Sequence, residues 1–124
     1  MLGLTRVILR LGRNPDAGFP DGDDNYGYVI QAPLDADSKL DAAQWREKRD
    51  HCTVRRFHPH ETPSDGWLRH RGDHWYIWYD EADEGPAEPL YKLGSHRLAP
   101  GEYVTLREAS GKVLTFRVAE AVRI

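Results

Sequence analysis

Residues 66–80 read GWLRHRGDHWYIWYD and hold Trp67, Trp75 and Trp78 of the chain's four tryptophans. Apolar and polar residues alternate on both sides of Gly72-Asp73, which is the pattern of two half-buried strands around a turn. As a two-residue turn, Gly72-Asp73 places glycine where a primed turn needs it, and Arg71 then pairs with His74. The rest of the register is forced. His70 opposes Trp75 and Leu68 opposes Ile77 on one face, while Trp67 opposes Trp78 and Arg69 opposes Tyr76 on the other. The first face is the core side. The second gathers Trp67, Arg69, Arg71, His74, Tyr76 and Trp78, a strip of flat rings and cations that a lone chain leaves partly in water.

Working outward, the same alternation recurs from Leu4 to Leu11, with Thr5, Val7, Leu9 and Leu11 on one side and Arg6, Ile8 and Arg10 on the other. The opening MLGLTRVILRLGRNP therefore reads as a strand rather than a leader, since arginines interrupt it and no small-residue cleavage pattern follows. GRNPDAGFPDGDDNYG is dense in turn formers and reads as a loop, and Tyr26 to Ala32 and Cys52 to His58 resume strand composition. Between Leu40 and Arg49 a helix is expected, with Asp41 capping the amide of Gln44, Gln44 reaching back, and Leu40 packing on Trp45. The acidic stretch DEADEGPAEP between Tyr79 and Leu90 reads as a solvated loop.

A second hairpin follows from Ala109-Ser110-Gly111, a three-residue loop with glycine at its left-handed position. It sets Leu106 against Leu114 and Val104 against Phe116 inside, with Thr105 and Thr115, and Tyr103 and Arg117, outside. PGEYVTLREASGKVLTFRV resembles small SH3-like barrels, over too short a stretch to carry a function across. The expected architecture is all-β: one domain over residues 1–124, a single small antiparallel barrel or sandwich of about seven or eight short strands, with one short helix near residues 42–49.

The 124 residues, 40% apolar and 30% charged, suffice for one core without staples. A net charge of -3 excludes a globally basic nucleic-acid binder, so any basic footprint is local. The single cysteine, Cys52, forms no internal disulfide and points to a reducing compartment, the cytoplasm. No apolar run approaches the length of a membrane-spanning helix.

Six histidines raise the question of a metal. On an extended chain His58 and His60 point to one side, so they can share a divalent transition metal with Glu61 or His96. This His-x-His spacing resembles that of the cupin family, but the glutamate that cupins place a few residues on is missing from Thr62 to Asp65, and no second histidine motif is present. His70 and His74 fall on opposite faces of the hairpin and do not chelate. Asp21, Asp23 and Asn25 imitate the start of an EF-hand loop, yet Tyr26 stands where glycine is required and Ala32 where a carboxylate is. His51 beside Cys52 lacks any thiol-enzyme signature, and a buried structural Cys52 is the simpler reading. Phosphate-binding glycine loops, nucleophile elbows and Cys-x-x-Cys pairs are absent from the sequence.

The expected function is thus a non-catalytic binding or assembly module that needs no cofactor. It would self-associate as a homo-oligomer or dock a protein partner through the outer hairpin face, because arginine and aromatic groups dominate interface energetics. The alternative is a metal-dependent barrel enzyme built on His58, His60, Glu61 and His96. A third reading is single-stranded nucleic-acid or glycan binding on the same strip, which the net charge disfavours. Against all three stands the plain possibility that the chain's own loops or helix cover the strip.

Overall fold

The computed structural model describes residues 3–72, 74–79, 88–89, 93–107 and 111–124. Its strands are β1 (Thr5–Leu11), β2 (Asp23–Ala32), β3 (Thr53–His58), β4 (Glu61–Arg71), β5 (His74–Tyr79), β6 (Glu88–Pro89), β7 (Tyr103–Arg107) and β8 (Val113–Arg123). All eight belong to one sheet, in the order β6-β5-β4-β3-β2-β1-β8-β7, and every pairing is antiparallel. The sheet curls into a half-barrel. A barrel-like curl, not a two-sheet sandwich, is therefore how these strands bury an apolar face.

That face is concave. Val7, Leu9 and Leu11 of β1, Tyr28 and Ile30 of β2, Leu68 of β4, Ile77 of β5, Val104 and Leu106 of β7, and Leu114, Phe116 and Val118 of β8 share one core cluster. The expected alternation in β1 holds, with Val7, Leu9 and Leu11 buried and Arg6 exposed. Both residue pairs of the C-terminal hairpin face each other as expected, Leu106 with Leu114 and Val104 with Phe116. Its turn residues Ala109 and Ser110 lie outside the described residues.

Curling needs local bends, and register shifts occur between Arg10 and Leu11, between Ile8 and Leu9, and between Arg56 and His58. Gly27 marks the tightest of these places. A Cβ there would lie 1.8 Å from the Leu9 carbonyl oxygen and 2.9 Å from Cζ of Phe57, so only glycine lets β1 and the Phe57 ring approach β2 this closely. The rest of the curl is closed by non-strand segments. The turn Leu93–Ser95 lies against both β5 and β7, near the two ends of the sheet, and buries Leu93 fully.

The helix α1 (Ala42–Lys48) begins where Asp41 accepts the amide of Gln44 at 3.1 Å. Gln44 reaches back to the Asp41 carboxylate at 3.1 Å rather than to its backbone amide, which instead donates to the Pro33 carbonyl. A helix this short is held by packing. Trp45 supplies it: the indole is 5% exposed, lies edge-on to Trp75 at 5.9 Å and donates from Nε1 to the Leu68 carbonyl at 2.9 Å.

Three boundaries differ from the sequence reading. β2 starts at Asp23 rather than Tyr26, with the Asn25 amide bonded to the Asp23 carboxylate at 2.8 Å. β4 starts at Glu61, because Ser64 and Asp65 pair with Arg56 and Arg55 of β3. Glu88 and Pro89 pair with Ile77 and Tyr76 as a short strand in what reads as loop, while residues 80–87 of that acidic stretch lie outside the described residues. Among the described residues no helix is long and apolar enough to cross a membrane.

Gly27→Ala is expected to lower stability by about 3 kcal/mol, the upper end for overpacking, since the clash is with backbone. Gly18→Ala meets no atom within 4 Å and costs only the left-handed conformation at φ 89°, about 1 kcal/mol. Urea unfolding of the two variants side by side checks the ordering.

Candidate functional site on the outer face of the tryptophan hairpin

β4 and β5 pair as Arg71 with His74, His70 with Trp75, Arg69 with Tyr76, Leu68 with Ile77 and Trp67 with Trp78, the register expected from the turn. Gly72 adopts φ 61°, which a primed turn requires at its first position. Asp73 lies outside the described residues. Leu68 and Ile77 are fully buried and Trp75 nearly so. His70 is also on this side, with its ring 4.4 Å from Trp75 and 5.9 Å from Trp45.

On the other face Trp67, Arg69, Tyr76 and Trp78 are half-buried, and Arg71 and His74 are exposed. The sequence reading brought these six side chains together, and the pairing places them on one face. At their centre the guanidinium carbon of Arg69 lies 5.4 Å from the Trp78 ring centroid and 5.8 Å from that of Trp67. Both indoles are thus partly roofed by one cation, a contact worth about 0.5–2 kcal/mol depending on its desolvation. One guanidinium nitrogen of Arg69, Nη1, is out of reach of solvent and has no hydrogen-bond partner among the described residues. An unpaired donor of this kind costs about 1–3 kcal/mol.

The face continues past the hairpin in a way the sequence did not reveal. Arg55 of β3 pairs with Asp65 at 3.4 Å, with both side chains mostly in water. Beyond it lies a shallow depression of about 520 Å³ lined by Ile8, Arg10, Val29, Arg55 and Phe57 among others. The Arg10 guanidinium stands 5.8 Å over the Phe57 ring, repeating the cation-on-ring motif of Arg69. Alternation in Leu4–Leu11 had put Arg6, Ile8 and Arg10 on one side. Only the strand order puts that side on the same face of the sheet as the tryptophans.

The metal set is not assembled. His58 Nδ1 accepts the His60 backbone amide at 3.2 Å, its ring stacks 4.5 Å from Tyr26, and the His58 and His60 ring centroids are 6.1 Å apart. Glu61 lies 3.6 Å from His58 but also receives Arg56 at 3.2 Å. Among the described residues, which include His96, no three His, Cys, Asp or Glu side chains gather as an ion would require. His60 sits in the turn that follows β3, its ring beside that of His58, and among the described residues no third ligand joins the two.

Cys52 has no exposed surface, and its Sγ approaches the Lys48 carbonyl at 3.4 Å. Burial pushes the thiol from 9.0 up to about 11, against a smaller downward pull from the Lys48 and Arg69 charges. It is a neutral packing group, not a nucleophile. Because the folded state holds this proton more tightly, its contribution is complete below pH 9 and is lost as pH rises from about 9 to about 11. Urea unfolding at pH 8.5 and 10.5 should show the native chain losing more stability than Cys52→Ala, by at most about 1.4 kcal/mol per pH unit.

No family model matches the chain, and no curated protein or solved structure is significantly similar to it. Function is therefore read from the geometry of this face.

Proposed function

We propose that the chain is a non-catalytic binding module that docks a protein partner through the outer face of the β4–β5 hairpin. The observation that supports this most is the cross-strand Trp67–Trp78 pair turned away from the core, with Arg69 laid over both rings. Large half-buried rings beside arginine combine apolar area with polar handles, the composition of energetic centres in protein interfaces. A partner covering the pair would remove more apolar area from water and offer acceptors to the part of the Arg69 fork that is not buried.

Self-association through this same face is the less favourable form of the reading. A two-fold dimer would bury the same strip twice and so gather Arg69 and Arg71 of both copies into one interface. A different protein meets no such repulsion.

A photo-crosslinking residue at position 76, in the chain expressed in cells, is expected to give a discrete protein adduct that Trp78→Ser abolishes. The same residue at position 113, at the exposed start of β8, serves as the background. Trp78→Ser should cost well under the roughly 2–5 kcal/mol of Ile77→Ala, since Trp78 is half-buried and Ile77 fully buried. An adduct pattern equal at both positions would contradict the proposal.

A further inference from the structure

We infer that the partner presented to this face is an acidic protein segment, whose carboxylates meet the arginines of β4, β3 and β1; this rests on the reading of the hairpin face as a docking surface. Register places these groups on one surface. Trp67 pairs with Thr53 and Asp65 with Arg55 across β4 and β3, Arg55 with Val29 across β3 and β2, and Val29 with Ile8 across β2 and β1. Side chains two residues apart on a strand share a face, so Arg6 and Arg10 flank Ile8 on this same surface, as Arg69 and Arg71 follow Trp67.

Charge on that surface runs opposite to charge on the chain. The whole chain carries -3, yet from β5 to β1 the outer surface gathers Arg6, Arg10, Arg55, Arg69 and Arg71 against Asp65 and against Asp24, which lines the depression beside Arg10 and Arg55. Asp65 is 71% exposed and its bond to Arg55 is 3.4 Å long, so a partner carboxylate can compete for that guanidinium. Every one of these cations is arginine. Its planar fork accepts a carboxylate through two parallel hydrogen bonds and stacks on rings, neither of which an ammonium does as well.

Two other occupants fit less well. Single-stranded nucleic acid needs free ring faces for base stacking, and Arg69 already lies over both indoles. It also gains from a groove that tracks the backbone, whereas this is the convex side of a curled sheet. A second copy would add its own arginines to the same interface, as described above. Carboxylates spaced along an extended or helical segment answer the cations, and they need no stacking surface.

The test is a fluorescence titration of the full chain at low salt, with Trp67 and Trp78 as reporters inside the patch. The probes are a decaglutamate peptide, a decaglutamine peptide and a fifteen-residue oligothymidylate. Decaglutamate is expected to produce a saturable change, weakened about tenfold by Arg69→Gln and largely abolished in half-molar salt. Arg69→Lys, which keeps the charge but not the fork, should fall between the two. Arg71→Gln, on an exposed side chain, should weaken binding by about threefold and supplies the answer if Arg69→Gln does not fold. The inference is overturned by no saturable response to decaglutamate, by an equal response to decaglutamine, by unchanged binding in the arginine variants, or by tighter binding of oligothymidylate. If decaglutamate fails while the position 76 adduct forms, the docking surface stands and only the acidic class falls.

Discussion

The chain reversal at Gly72 governs both what is buried and what is offered to a partner. Because strand side chains alternate with a period of two, the pairing of Arg71 with His74 sends Leu68 and Ile77 inward and Trp67 and Trp78 outward in one stroke. A slip of one residue in β5 alone would drive Tyr76 and Trp78 into the core and leave Ile77 in water. The concave side resists such a slip. Trp45 hydrogen-bonds the Leu68 carbonyl and packs edge-on to Trp75, so α1 reads the register from the inside. The outward placement of Trp67 and Trp78 is thus a by-product of the pairing that buries Leu68 and Ile77.

Both hairpins were legible in the sequence because each is a local device, a turn glycine flanked by alternating residues. The helix was legible for the same reason, since Asp41 and Gln44 stand within one turn of each other. Pairing between distant segments was not legible. Glu61 to Asp65 are polar, exposed and include Pro63, yet they form the first half of β4 because Arg55 and Arg56 of β3 lie opposite Asp65 and Ser64. Nothing within the segment announces this. Glu88 and Pro89 are likewise strand only because β5 presents an open edge to them.

The candidate site divides in the same way. The six hairpin residues followed from register, whereas Arg55, Arg10 and Phe57 joined them only once β3, β2 and β1 were known to lie side by side. The nearness of His58 and His60 followed from their spacing, but the absence of a third ligand beside them depends on the turn at Pro59 and on distant segments. A spacing rule reaches only neighbours in sequence. The Phe57 ring over Gly27 illustrates the converse: a strand glycine reads as weakness, but here an aromatic side chain covers it and the two strands close up.

The most direct check on this account is the set of cross-strand nuclear Overhauser contacts in the β4–β5 hairpin. In a two-residue hairpin the pairs His70 with Trp75 and Leu68 with Ile77 are the non-hydrogen-bonded ones, where opposing α-carbons come closest. Strong contacts between the α-protons of His70 and Trp75 and between those of Leu68 and Ile77 are predicted. Contacts displaced by one residue, such as Arg69 with Ile77, or helical amide contacts through residues 67–71, would contradict the pairing, and with it the outward placement of Trp67, Arg69 and Trp78.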